Sequence, residues 1–200
     1  MSESEDLRQE IVACTKCKSL VGSRTQVVPG DGSENARIMF IGEAPGFNED
    51  KQGSPFVGQA GAFLNELLAL INLKREQVFI TNVIKCRPPE NRDPFPSEIQ
   101  NCRPWLDRQI ALIRPKIIVL LGRYAMASFL PDKSISKVHG TAQRADGMTF
   151  FAMYHPAAAL YQQSLRETIK QDFLKLPEIL SGSREALVAE KPPGQQLSMF

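Results

Sequence analysis

Four cysteines are the first residues in this chain whose spacing suggests chemistry. Cys14 and Cys17 form a C-x2-C pair, 68 residues intervene before Cys86, and 15 more before Cys102. A two-residue gap lets adjacent thiolates turn toward one ion or cluster, and four thiolates suit either tetrahedral zinc or an iron–sulfur cluster. Four unrelated buried cysteines are the bland alternative. The C-x2-C pair and the lack of a fifth cysteine argue against it. The chain has two histidines, neither near a cysteine in sequence, so an all-thiolate site is expected. Three other segments carry groups of interest: GEAPG at 42–46, Thr81–Asn82, and His155 before Pro156.

The elements that must position these groups follow from the apolar pattern. Compact runs at 37–41 (RIMFI), 78–84 (VFITNVI), 116–121 (KIIVLL) and 149–154 read as strands. Helical spacing marks 6–14, 61–71, 97–113, 124–130 and 165–180. This alternation predicts one α/β domain, a central mostly parallel four-stranded sheet with helices on both faces. Ligands of such sheets bind beyond the carboxyl ends of the strands. GEAPG, Thr81–Asn82 and His155 all fall there. With 200 residues, 42% of them hydrophobic, the chain can fill one core. Residues 1–180 are expected to form the domain. Residues 181–200, rich in Gly, Ser, Pro and Glu, read as a flexible tail.

Taken together, GEAPG at 42–46, SPFVG-x-AG at 54–61, TNVIKCRPPENR at 81–92 and YHPAA at 154–158 resemble the family 4 uracil-DNA glycosylases. The resemblance runs from about Cys14 to Leu180 with the motifs in the family's order. It implies hydrolysis of the N-glycosidic bond of uracil in DNA, leaving an abasic site during base excision repair. It also implies a mainly structural 4Fe-4S cluster on Cys14, Cys17, Cys86 and Cys102, where spacing alone leaves zinc open.

An enzyme of this kind flips the base into a pocket and reads its Watson–Crick edge. Uracil presents an acceptor at O4 and a donor at N3, which the Asn82 amide complements; cytosine presents the opposite pattern. A strand-end turn is the other reading of Asn82. By resemblance Phe56 stacks on the extruded base, with core packing as its alternative. His155 would aim an N–H at the negative charge developing on uracil O2. Glu43 would orient the attacking water or stabilise the sugar cation, unless it only orders its loop. Gly42 and Gly46 permit close backbone approach to the substrate. In family 1 enzymes the related loop carries an aspartate where this chain has Ala44 and a tyrosine where it has Gly46. The usual water-positioning carboxylate and the bulk that excludes thymine are thus missing from those positions.

Lys85, Arg87 and Arg92 flank the cysteine loop and are expected to contact phosphates, against the alternative of solvated charge. Leu160 or Tyr161 could wedge into the gap left by the flipped base, or simply pack at a helix start. His139, in SKVHG, stands where a sister group of uracil-crosslinking relatives carries a histidine that joins covalently to the sugar. Those relatives have GEQPG and an arginine-rich loop. This chain has GEAPG and no arginine in 134–140, so ordinary turnover is expected, with His139 at the pocket mouth.

The 24 basic and 22 acidic residues nearly cancel, but the middle third is locally basic, as a surface meeting phosphates would be. No apolar run approaches the ~20 residues of a membrane span. MSESEDLRQE lacks the pattern of a secretion signal. A cytoplasmic, nucleoid-associated bacterial monomer is expected, in a compartment where structural disulfides are rare. The residues Gln196, Leu197, Ser198, Met199 and Phe200 resemble the pentapeptide that docks bacterial repair and replication proteins on the sliding clamp. Two other functions fit the cysteines: a non-catalytic iron–sulfur DNA-binding protein, or a zinc-containing α/β nucleotide phosphohydrolase using GEAPG as a phosphate loop. Asn82 and His155 at converging strand ends argue against the first. The absence of a P-loop lysine and of an acidic metal cluster argues against the second.

Overall fold

The computed structural model describes residues 2–182 and 187–188. Most of the expected tail, with its clamp-like residues 196–200, lies outside the described residues. Seven strands are present among those described: β1 (Asp31–Gly32), β2 (Ile38–Gly42), β3 (Phe79–Asn82), β4 (Ile117–Leu121), β5 (Thr141–Ala145), β6 (Met148–Met153) and β7 (Leu187–Val188). The helices are α1 (Glu3–Val12), α2 (Lys18–Val21), α3 (Phe47–Gln52), α4 (Gln59–Leu70), α5 (Pro96–Ile113), α6 (Gly122–Ala127), α7 (Ile135–Val138), α8 (Ala158–Tyr161), α9 (Ser164–Phe173) and α10 (Leu176–Ser181).

The sheet order is β1-β3-β2-β4-β6-β5-β7. Its middle four strands, β3, β2, β4 and β6, run parallel and are the four expected from the apolar runs. Every residue of β2, β3 and β4 is buried, because helices cover both faces of a parallel sheet. Successive side chains alternate between two cores. Met39, Ile41, Ile118, Leu120 and Phe150 face Leu7, Ile11 and Leu106 of α1 and α5. Ile38, Phe40, Val119 and Phe151 face Phe63, Leu67, Ile169 and Phe173 of α4 and α9.

The edges extend what the sequence predicts. β1 pairs antiparallel with β3, β5 antiparallel with β6, and β7 parallel with β5. β5, with the sequence TAQRA, carries too few apolar residues to read as a strand. A hairpin turn reveals it: Asp146 and Gly147 both take positive φ, 49° and 74°, as the favoured two-residue turn demands. The helix expected over 165–180 is two helices, α9 and α10. Pro177 lies in the first turn of α10, where its missing N–H costs no helical bond. Among the described residues no helix is long and apolar enough to cross a membrane.

The register fixes where the chemistry gathers. Gly42 at the end of β2 pairs with Asn82 at the end of β3. Leu121, ending β4, pairs with Met153, ending β6, two residues before His155. All four parallel strands therefore deliver their carboxyl ends to one rim.

Candidate active site and cysteine cavity

Asn82 is 2% exposed at the end of β3. Among the described residues its Oδ1 is the one buried side-chain nitrogen or oxygen without a hydrogen-bond partner. Such an acceptor is costly to leave unmet, and it points to a donor that the protein itself does not supply. Gly42 lies directly against it. A Cβ on Gly42 would stand 2.4 Å from Asn82 Oδ1 and 2.8 Å from the Phe56 ring, so only glycine leaves this corner open.

Phe56 is held with effort. Its φ is 52°, a left-handed conformation that bulky residues rarely adopt. Strain of this kind persists where the surroundings over-determine it. Here the Arg75 guanidinium donates to Phe56 O at 3.1 Å and also to Pro55 O. Gly61 of α4 packs so closely that a Cβ would meet Phe56 O at 1.8 Å. One residue on, Glu49 Oε1 accepts from Val57 N and Gly58 N, each at 2.9 Å. The Phe56 ring then stacks on His155 with centroids 5.4 Å apart and planes 26° apart. Sequence reading found Phe56 but missed Arg75 and Glu49. An acidic residue beside a glycine-punctuated loop was the only signal available for Glu49.

His155 has a fixed tautomer. Ala157 N donates to its Nδ1 at 3.1 Å, so the ring proton sits on Nε2, which is free to donate. Part of the residue remains accessible to solvent. Even so, dense packing around the ring pushes its pKa down to about 4, keeping the imidazole neutral. Glu43 follows Gly42 on the same rim, half-buried, and its carboxylate takes no hydrogen bond from the described residues. Burial raises its pKa, the nearby Asp93 carboxylate adds to the rise, and Arg123 opposes it. Ala44 packs against the core and offers no polar group. Gly46 caps α3, with Glu49 Oε2 only 2.8 Å from where its Cβ would be.

All four cysteines line one cavity, closed by Ile11, Leu20, Val27, Ile84 and Trp105. The sulfurs already accept hydrogen bonds: Cys86 Sγ from Arg24 Nη1 at 2.9 Å, Cys14 Sγ from Trp105 Nε1 at 3.3 Å, Cys17 Sγ from Asn101 Nδ2 at 3.7 Å, and Cys102 from the Lys85 backbone. N–H groups aimed at sulfur and a nearby guanidinium suit bound thiolates rather than inert thiols. Burial pushes the free Cys102 thiol up to about 11, so loading the site would release protons. Among the described residues no three Cys, His, Asp or Glu are placed to hold a single metal ion.

One of the expected phosphate contacts is corrected. Lys85 is 1% exposed, and its Nζ donates to Thr81 Oγ1 at 2.5 Å and Asn82 O at 2.8 Å, out of reach of a nucleic acid. Arg92 is engaged in a two-pronged pair with Glu98, at 2.6 and 2.9 Å, beneath which Glu98 also caps α5 through Phe95 N. Arg87 is half-buried and donates to Asn91 Oδ1 at 2.7 Å, its guanidinium lying over Phe47. Leu160 and Tyr161 end α8 on the surface, 42% and 91% exposed. His139 Nδ1 lies 2.6 Å from the buried Asp172 carboxylate, and its ring tilts against Tyr154. That pairing ties the loop to α9.

A family model described as the Uracil DNA glycosylase superfamily matches residues 29–176. A Type-4 uracil-DNA glycosylase of Sulfurisphaera tokodaii is 48% identical over 189 residues, spanning 90% of this chain and 86% of that protein. One of Archaeoglobus fulgidus is 46% identical over 197 residues, spanning 94% and 98%. One of Thermotoga maritima is 43% identical over 176 residues, spanning 86% and 91%.

Proposed function

The chain belongs to the type-4 uracil-DNA glycosylases, and on that premise we propose that it flips uracil from DNA and hydrolyses its N-glycosidic bond. The observation that carries the reading is the orphaned Asn82 Oδ1. Uracil N3–H supplies the missing donor while O4 accepts from Nδ2, and cytosine would leave both buried partners unmet. Phe56 offers its face to the extruded base.

Cleavage moves the C1′–N1 electron pair onto uracil, with charge growing at O2. The neutral His155 Nε2–H stabilises that charge by a hydrogen bond, with the tautomer set in advance by Ala157 N. Water then adds to C1′. Glu43, unpaired on the same rim, orients that water and accepts its proton, in place of the carboxylate missing at Ala44. Leu160 or Tyr161 fills the gap in the base stack. Arg87 and Arg92 are the phosphate contacts of the cysteine loop.

Cys14, Cys17, Cys86 and Cys102 would hold a 4Fe-4S cluster, which when bound supplies a structural tie between the N-terminal segment and the loop after β3. Four thiols lining one cavity, with N–H groups aimed at their sulfurs, support this assignment. Iron analysis and a brown colour in the purified protein test this; stoichiometric zinc would reject it. Residues Gln196–Phe200 are proposed to dock on a sliding clamp. Deleting them should abolish clamp pull-down and spare activity on a naked oligonucleotide, and surviving pull-down ends that idea.

The enzymatic reading is tested by uracil release from a single-uracil oligonucleotide, comparing the natural chain with Asn82→Ala and His155→Ala. Both variants should be severely impaired, and no release by the natural chain would sink the reading.

A further inference from the structure

We infer that Lys85 is a positioning residue for base recognition: it grips the backbone of Asn82 and so sets where the reading amide stands. The inference rests on the proposed uracil-excising activity. Lys85 ranks among the largest fully buried side chains of the molecule. Burying an ammonium is costly unless it is paired, so an apolar side chain would fill this space with less penalty. What the lysine gains is two hydrogen bonds on β3, to Thr81 Oγ1 at 2.5 Å and to Asn82 O at 2.8 Å.

Asn82 needs such an anchor. Its side-chain oxygen is unpartnered, and no hydrogen bond within the described residues orients the amide. The amide must therefore take its position from the backbone, at the point where β3 and its ladder to Gly42 end. Lys85 holds the carbonyl of that last residue from within.

The anchor is itself fastened. Lys85 O accepts from Val28 N at 2.8 Å. Thr81 Oγ1 also reaches Pro29 O at 3.2 Å and Gln109 Oε1 at 3.3 Å, and Gln109 Nε2 donates to Pro29 O at 2.7 Å. Gln109 stands on α5, the helix that carries Cys102. The segment after the C-x2-C pair, the cysteine loop and α5 thus all converge on the lysine that places Asn82.

The test uses the full-length, cluster-loaded protein and two variants, Lys85→Met and Thr81→Val. The readouts are single-turnover excision, the inhibition constant of free uracil, and iron per chain. Lys85→Met should keep its iron, weaken inhibition by uracil roughly ten- to a hundredfold, and slow excision to a similar degree. Thr81→Val should shift both in the same direction by a smaller factor. In an Asn82→Ala background, Lys85→Met should cost less than about twofold more, because a residue acting through Asn82 has nothing left to place.

Uracil inhibition unchanged in iron-loaded Lys85→Met overturns the inference. So does a full, independent loss in the Asn82→Ala background. Should Lys85→Met fail to retain iron, Thr81→Val decides, and unchanged uracil inhibition there is equally fatal. A natural chain that excises no uracil rejects the activity itself. Normal excision by the natural chain with unaffected variants rejects only the role of Lys85.

Discussion

His155 shows how one residue can be prepared for its task before substrate arrives. Its Nδ1 is occupied by Ala157 N, and burial keeps the ring neutral, with a pKa of about 4. In the unfolded chain the ordinary value of 6.5 applies, so the unfolded state binds the proton first as pH falls. Stability associated with neutral His155 is present above pH 6.5 and is lost toward pH 4. Between pH 7 and 5 the loss is on the order of 1–2 kcal/mol, allowing for the partial exposure of the residue. Urea denaturation at the two pH values should show it, and His155→Gln should remove that component. Glu43 behaves oppositely. Its folded pKa is raised, so its ionisation opposes folding at neutral pH and does not below the ordinary 4.5. Glu43→Gln should raise the melting temperature at pH 7, lose that advantage below pH 4.5, and cut the excision rate by roughly a hundredfold. If Glu43 orients the water as proposed, it must be ionised, and the acid limb of the natural enzyme should fall above pH 4.5. A Gln variant as active as the natural chain would remove Glu43 from the mechanism. At this scale the placement of Asn82 and His155 on one rim was legible because motif and strand end coincide, while Phe56, in the loop from α3 to α4, could be picked out by its motif alone. Lys85 was misread because a basic letter in a loop does not say whether its side chain turns inward.

Among the elements, the four parallel strands could be read because fully buried strands are continuous apolar runs. β1 and β5 could not, since strands outside the helix-covered parallel core carry polar residues and follow turn geometry instead. The loop from α3 to α4 was legible only as a string of glycines and prolines. Its conformation depends on Glu49 and Arg75, which meet it from outside its own motif. Arg75→Ala should therefore release Phe56 from its left-handed conformation. Excision should slow, amide exchange at Val57 and Gly58 should quicken, and global stability should fall by about 1–3 kcal/mol. Unchanged exchange there would mean that the loop is held otherwise. Gly42→Ala acts on the same corner from β2. Its Cβ would stand 2.4 Å from Asn82 Oδ1, so the amide must move and excision should drop on the order of a hundredfold with the fold intact. Circular dichroism alongside single-turnover kinetics separates the two effects.

For the whole molecule, the locally basic middle third is less available than its composition suggests. Arg92, Arg103 and Arg123 are each paired with a carboxylate of the same third and Arg108 with Glu10, so four of its basic side chains are already engaged. Chain-wide charge counts cannot reveal such pairing. The cysteine cavity is the larger organising feature, because it joins residues from both ends of an 89-residue span, 14 to 102. Stripping the site with a chelator should lower the melting temperature and expose the N-terminal segment. Limited proteolysis should then cut first between residues 12 and 24, and an unchanged digestion pattern would mean that the cavity walls hold without the thiolate tie. The span also dictates a history. A ribosome releases Cys14 and Cys17 well before Cys102, and at about 5–20 residues per second the first pair waits roughly 4 to 17 s for its partners. During synthesis those thiols stand without their cavity, open to oxidants and stray ions. Until Cys86 and Cys102 emerge, that first pair is the part of the newborn chain most open to oxidation.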